Sequence, residues 1–285
     1  MAKIFNDYSF LAKHQVESPV IPFRHKIAIK IVNVLDLSHH SLLDVGGGTS
    51  SYLKYVKGRH RAVCDMEPSS IESSLYEESF QAALPSLQLE DCSYDVVSAF
   101  EVLEHMSLDM YLASVKELGR ITSDITIVSA PFMQDLTGSY CKCASCGCIF
   151  QCEGHYRSFN IEDLKAIQEH LGTLAEVYFC CPSNTEKMGI SYGIGLKLKK
   201  IVKARVRFAY QLFGKKFAKP PFTKCPSCNT ELFHDYAQYK EAILNKVSEK
   251  TYAIGYLKTH RVSIGTFVAI YTKKNTIVPY VGDDT

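Results

Sequence analysis

Residues 41–52 read SLLDVGGGTSSY, and the understanding of that run decides the fold. Positions 41–44 form a short apolar strand that ends in an acid, Asp44. Gly46, Gly47 and Gly48 follow, then Thr49, Ser50 and Ser51, whose side chains suit a helix N-terminus. Glycines at such a bend admit positive φ and let a ligand lie against the main chain with no Cβ between them. A strand, a glycine turn and a helix make the first unit of a doubly wound sheet, which binds ligands beyond the carboxyl ends of its strands. Many glycine-rich turns bind nothing, so the flanking segments carry the decision.

Downstream, residues 62–64 (AVC) read as a second strand closed by Asp65, a position suited to a carboxylate that grips a pair of ribose hydroxyls. An acid at a strand end also arises by chance. Residues 94–98 (YDVVS) read as a buried strand, with FEVLEH at 100–105 just past its end. A helix over 108–119, a strand over 125–129, a helix over 160–171, a strand over 175–180 and a final strand from Gly265 complete the pattern. This alternation predicts a mostly parallel sheet with helices on both faces. Upstream, residues 24–37 place apolar side chains at Ile27, Ile29, Ile31, Val32, Val34 and Leu35, a helix that either covers the cleft or simply packs on the sheet.

Composition bounds the class. The 285 residues are 46% hydrophobic and 22% charged, with a formal net charge of +2, so no global attraction to nucleic acid or membrane follows. No apolar run approaches the roughly 18 residues that span a bilayer, and the N-terminus lacks a signal peptide's apolar core. A cytoplasmic location is expected, where thiols stay reduced. The 11 cysteines then point to metal more than to disulfides.

LLDVGGGTS, AVCDMEP, LPSLQLEDCSYDVVSAFEVLEHM and ITIVSAPF resemble, in order and near-spacing, the successive motifs of class I S-adenosylmethionine-dependent methyltransferases. The similarity spans roughly 42–181, and GTFVAIYTK at 265–273 resembles the family's closing antiparallel strand. The resemblance implies a Rossmann-like α/β fold with a seven-stranded, mostly parallel sheet. It implies that Asp44, Gly46, Gly47 and Gly48 line the methionine end of the cofactor, that Asp65 holds the ribose, and that Met66 lies against adenine. Phe100 and Glu101 would sit beside the cofactor after the fourth strand. Departures exist. Ser50 replaces a frequent third glycine, the stretch 67–84 is short for a helix plus a strand, and the acid often found before the Leu-Pro pair is missing. A nicotinamide dinucleotide is the rival cofactor, but GGGTSS lacks the last glycine of its fingerprint.

Two C-x2-C pairs, Cys143/Cys146 and Cys225/Cys228, have the spacing of zinc knuckles, with Gly147 and Asn229 placed to take the left-handed residue of each turn. Four thiolates make a closed, structural Zn2+ site. Separate reduced thiols or an iron–sulfur cluster are the alternatives, and Cys141, Cys148 and Cys152 are possible substitute ligands. The expected organisation is an N-terminal helical cap (1–40), a core (41–182 and 262–275) and a basic helical insertion (183–261) carrying the second knuckle. Residues 188–230 contain no acid, and a basic amphipathic helix over 194–219 would meet a membrane surface or a phosphorylated substrate, or simply pack with a solvated basic face.

The expected function is methyl transfer to a small-molecule acceptor, a hydroxyl of a sugar or of a lipid- or nucleotide-linked glycan fitting best. No nucleic-acid module is recognisable, so nucleic acid is not the expected partner. His105 and His155 are the candidate bases, and Arg157 would hold an anionic substrate group or the zinc loop. RNA or protein methylation, and a zinc-braced scaffold without activity, are the competing readings.

Overall fold

The computed structural model describes residues 22–48, 51–67, 71–134, 136, 140–143, 145–151, 153–180, 223–232, 265–274 and 276–278. The first 21 positions and most of the 183–261 insertion, including the basic run at 194–219, lie outside the described residues.

Helix α1 (Phe23–Val34) buries Ile27, Ala28, Ile31 and Val32, positions that recur on one helical face. It ends at Val34, short of the expected 37. Asp36 turns the chain with φ 48, and a short 3-10 helix, Leu37–His39, leads into the sheet. The sheet contains β1 (Ser41–Val45), β2 (His60–Asp65), β3 (Glu78–Gln81), β4 (Tyr94–Phe100) and β5 (Thr122–Phe132), all mutually parallel. Hairpin β6 (Tyr140–Lys142) and β7 (Ile149–Gln151) follows, then β8 (Thr173–Cys180). Hairpin β9 (Thr223–Lys224) and β10 (Glu231–Leu232) precedes β11 (Gly265–Thr272). The seven-stranded order is β3-β2-β1-β4-β5-β11-β8, with β11 antiparallel to both neighbours. This is the Rossmann-like, mostly parallel seven-stranded sheet that the sequence resemblance implies. Its switch point lies between β1 and β4, where connections diverge, and sheets of this kind bind ligands beyond the strand ends at that point.

Alternation along the strands divides the interior into two layers. Leu43, Val97, Val128 and Ala269 point towards α2 (Leu108–Ile121), α3 (Ile161–Ala166) and α4 (Gln168–Leu171). Leu42, Val96, Ile127 and Val268 point the other way, towards α1. Asp95 ties three strand starts together: it accepts from Ser41 N and Oγ, both at 2.9 Å, and from Ser123 Oγ at 3.0 Å.

Two expectations are corrected. Among the described residues the glycine turn leads not into an α-helix but into a single 3-10 turn, Tyr52–Tyr55, whose cap Ser51 accepts from Leu53 N at 3.3 Å. Between β2 and β3, in the stretch that the sequence marked as short for a helix plus a strand, a 3-10 turn, Ser73–Leu75, appears among the described residues. The expected 160–171 helix is two short ones, separated at Ile167 and begun by an Asn160–Asp163 capping box. No helix among the described residues is long and apolar enough to cross a membrane.

Candidate functional site

The glycine turn is held against β2 by the Gly46 amide, which donates to the Cys64 carbonyl at 2.8 Å. Gly46 and Gly48 have φ of 73 and 46, conformations that side chains disfavour. A Cβ on Gly46 would meet Val102 Cγ2 at 2.7 Å, and one on Gly47 would meet Asp44 Oδ2 at 2.8 Å. The turn is therefore packed tightly on its protein side. Asp44 is 1% exposed and accepts from Ser98 Oγ at 2.6 Å. Burial pushes its carboxyl up to about 6, against the pull of the serine hydroxyls. Asp65, the last residue of β2, accepts the Glu67 amide at 2.9 Å and faces the Gly48 amide; burial raises its carboxyl too. Met66 follows, half exposed at the end of β2. Phe100 closes β4 and packs its ring on Tyr52 and His25, with centroids 5.4 and 5.5 Å away.

Arg24 of α1 was passed over by the motif reading. Its Nε is buried with no hydrogen-bond partner, and its charge acts on Asp44, Glu101 and Glu104. A lone arginine upstream of the strand motifs has no spacing signal, and only the fold of α1 over the sheet brings it to the cleft.

Beyond β4 the chain makes a strained bend. Glu101 adopts φ 56, unusual for a residue with a Cβ, and is fixed there by two bonds to Ser129: its amide donates to the carbonyl at 3.0 Å, and the serine hydroxyl donates to Glu101 Oε1 at 3.0 Å. The short 3-10 turn Leu103–His105 then carries Glu104 inward, to 0% exposure. Burial and the neighbouring Glu101 hold the Glu104 carboxyl well above the usual carboxylate range. His105 and the expected His155 come together here, with ring centroids 4.8 Å apart. Burial lowers both rings to about 4, with their mutual repulsion adding to the effect on His105. Rings held so low are neutral lone-pair donors near pH 7 and weak proton acceptors. Arg157 is committed nearby, stacked 3.6 Å over the Tyr111 ring and donating to the Met106 carbonyl at 3.4 Å.

The four expected metal cysteines converge. Cys143 Sγ lies 3.6 Å from Cys228 Sγ, and Cys146 Sγ lies 3.5 Å from Cys225 Sγ, with all four within 4.8 Å of one another. Thiolates bound to zinc at about 2.3 Å in a tetrahedron sit roughly 3.8 Å apart, so the fit is close. The two knuckles repeat one hydrogen-bond pattern. Gly147 N donates to the Cys143 carbonyl and Asn229 N to that of Cys225, both at 2.9 Å. Gly147 (φ 72) and Asn229 (φ 57) take the left-handed conformation that the sequence assigned them. The Thr230 hydroxyl and amide draw the Cys228 thiol down to about 6. Cys148 instead points its sulfur at the Ile149 carbonyl, 3.9 Å away. Cys152 and the Cys141 side chain lie outside what is described.

A sequence profile for the methyltransferase domain family matches residues 43–124, from β1 into β5. Over that stretch the chain is similar to the methyltransferase domain family. No curated protein sequence matches the chain. Among similar solved structures, a SAM dependent methyltransferase from Archaeoglobus fulgidus is 14% identical over 94% of this chain and 100% of its own, with a TM-score of 0.48. The YcgJ protein from Bacillus subtilis is 11% identical over 88% and 97%, also at 0.48. The magnesium protoporphyrin IX methyltransferase of Synechocystis is 18% identical over 62% and 90%, at 0.46. The likeness to the methyltransferase domain family rests on the profile, and these distant structures carry no part of it.

Proposed function

We propose that the methyltransferase domain binds S-adenosylmethionine at the switch point and transfers its methyl group to a hydroxyl of a small molecule. One observation carries the reading. Asp44, 1% exposed beside the glycine turn, and Arg24, whose Nε is buried without a hydrogen-bond partner and whose charge reaches Asp44, bring one negative and one positive group to this end of the sheet. Those two charges match the ammonium and carboxylate of an amino acid. Asp65 is placed for the ribose hydroxyls, with Met66 beside it for the base, while Glu101 and Phe100 border the methyl end. When bound, the cofactor supplies a methyl group already activated on a sulfonium. The chain's own part is to align the acceptor and to exclude water.

Zinc in the Cys143/Cys146/Cys225/Cys228 site would be structural, clipping the loop after β5 to the insertion before β11. The acid-free basic run at 188–230 favours an anionic acceptor, and a sugar on a nucleotide or lipid diphosphate fits it best. The test is incubation of the pure protein with methyl-labelled cofactor and a panel of nucleotide sugars, diphosphate-linked lipid sugars, RNA and protein. Label in a sugar fraction supports the reading, and label in RNA or protein overturns the acceptor class.

A further inference from the structure

Glu104 is an uncomfortable residue. Both of its carboxyl oxygens are buried without an N–H donor, and among the described residues the only group set against them is the carboxyl of Glu101. A buried acid left this way costs several times an ordinary lost hydrogen bond, and the adjacent Glu101 carboxylate increases the cost. What lies in front of it is a pair of imidazoles. The ligand atoms of Glu104, His105 and His155 all fall within 4.8 Å of one another.

The two rings are oriented from behind. His155 Nδ1 lies 2.7 Å from Gln134 Oε1. The orientation of that amide is fixed because its Nε2 donates to Glu153 Oε2 at 3.0 Å. An amide oxygen only accepts, so His155 carries its proton on Nδ1 and bears a lone pair on Nε2. His105 Nδ1 lies 3.3 Å from the Gly154 carbonyl, which sets the same tautomer. Imidazoles that bind metal are held in this way, with the remote N–H on a carbonyl or amide oxygen.

From this arrangement we infer that Glu104, His105 and His155 bind a divalent cation, a second metal site distinct from the four cysteines. One carboxylate and two imidazoles suit a borderline ion of the Mn2+, Fe2+ or Zn2+ kind and leave positions open for an exogenous oxygen. Adjacent ligands on such an ion stand about 3 Å apart and opposite ones about 4.2–4.4 Å, so these side chains draw together by rotamer adjustment as the ion binds.

The site's role rests on the methyl-transfer reading. The acceptor hydroxyl binds the cation through oxygen and passes its proton to a water held in another of the cation's open positions. The O–CH3 bond forms as the S–CH3 bond breaks, and the sulfur keeps that electron pair as a thioether. This removes the need for a protein base.

The experiment is a Mn2+ titration of the intact chain followed by electron paramagnetic resonance, with zinc left on the cysteines, whose soft thiolates discriminate against manganese. One Mn2+ per chain is expected, with affinity falling at least about tenfold in both Glu104→Gln and His155→Ala. Glu104→Gln is nearly isosteric, and calorimetry with S-adenosylmethionine on the same samples reports whether each variant retains its fold. No Mn2+ bound to the wild type overturns the site, as does equal binding in the two variants. Either result with cofactor heat intact leaves the methyl-transfer reading standing. Mn2+ bound with no cofactor heat supports the metal site and removes the methyl-transfer reading instead.

Discussion

Asp44 shows how one buried side chain couples binding to pH. Its folded carboxyl is held at about 6 by burial, above the unfolded range near 4. The native state therefore holds the proton more tightly than the unfolded chain does. Stability present below pH 4 is lost as pH rises towards 6, by up to about 3 kcal/mol. Cofactor binding runs in the opposite direction, because an ammonium favours the ionised acid. Affinity for S-adenosylmethionine should fall about tenfold between pH 7 and 5, and Asp44→Asn should flatten that dependence. Calorimetric titration across the range checks both. At this scale the sequence was legible where spacing constrains a residue. The positions of Asp44 on β1, of the glycines in the turn and of Asp65 at the end of β2 follow from the strand–turn pattern, and the left-handed Gly147 and Asn229 from the knuckle pattern. Arg24 and Glu104 were not legible as functional groups. Arg24 depends on the docking of a distant helix, and the inward turn of Glu104 depends on the φ of 56 at Glu101.

At the scale of elements, strand positions read well from hydrophobic alternation, and the helix expected after the glycine turn is replaced among the described residues by one 3-10 turn, Tyr52–Tyr55. Helix packing on the other face is tight. Gly119 of α2 lies against the backbone of α4, where a Cβ would collide with the His170 carbonyl. Gly119→Ala should therefore destabilise the chain by about 1–3 kcal/mol, while Leu112→Ala, on the exposed face of the same helix, should stay within about 0.5 kcal/mol. Thermal melts of the two variants decide it. The knuckles form a second such junction. Removing zinc with a chelator, or Cys225→Ser, should cost about 2 kcal/mol or more and lower Tm by roughly 4–8 °C, with loss of bound zinc by elemental analysis. An unchanged melt with no metal at all would remove the structural role.

For the whole molecule, the fold carries two sites of different character. One is a closed thiolate clip that joins two hairpins far apart in sequence. The other is a cleft at the strand ends that concentrates Asp44, Glu101, Glu104 and Arg24. The order β3-β2-β1-β4-β5-β11-β8 brings the ends of β1, β2 and β4 to the same edge, which local sequence does not specify but the succession of motifs implies. The central claim is that this edge holds a sulfonium nucleoside. Isothermal titration of the intact chain with S-adenosylmethionine tests it most directly. The account predicts one site per chain with a dissociation constant of about 1–100 µM, weakened at least about tenfold by Asp65→Ala. A wild-type protein that is folded, carries its zinc and gives no heat would contradict it.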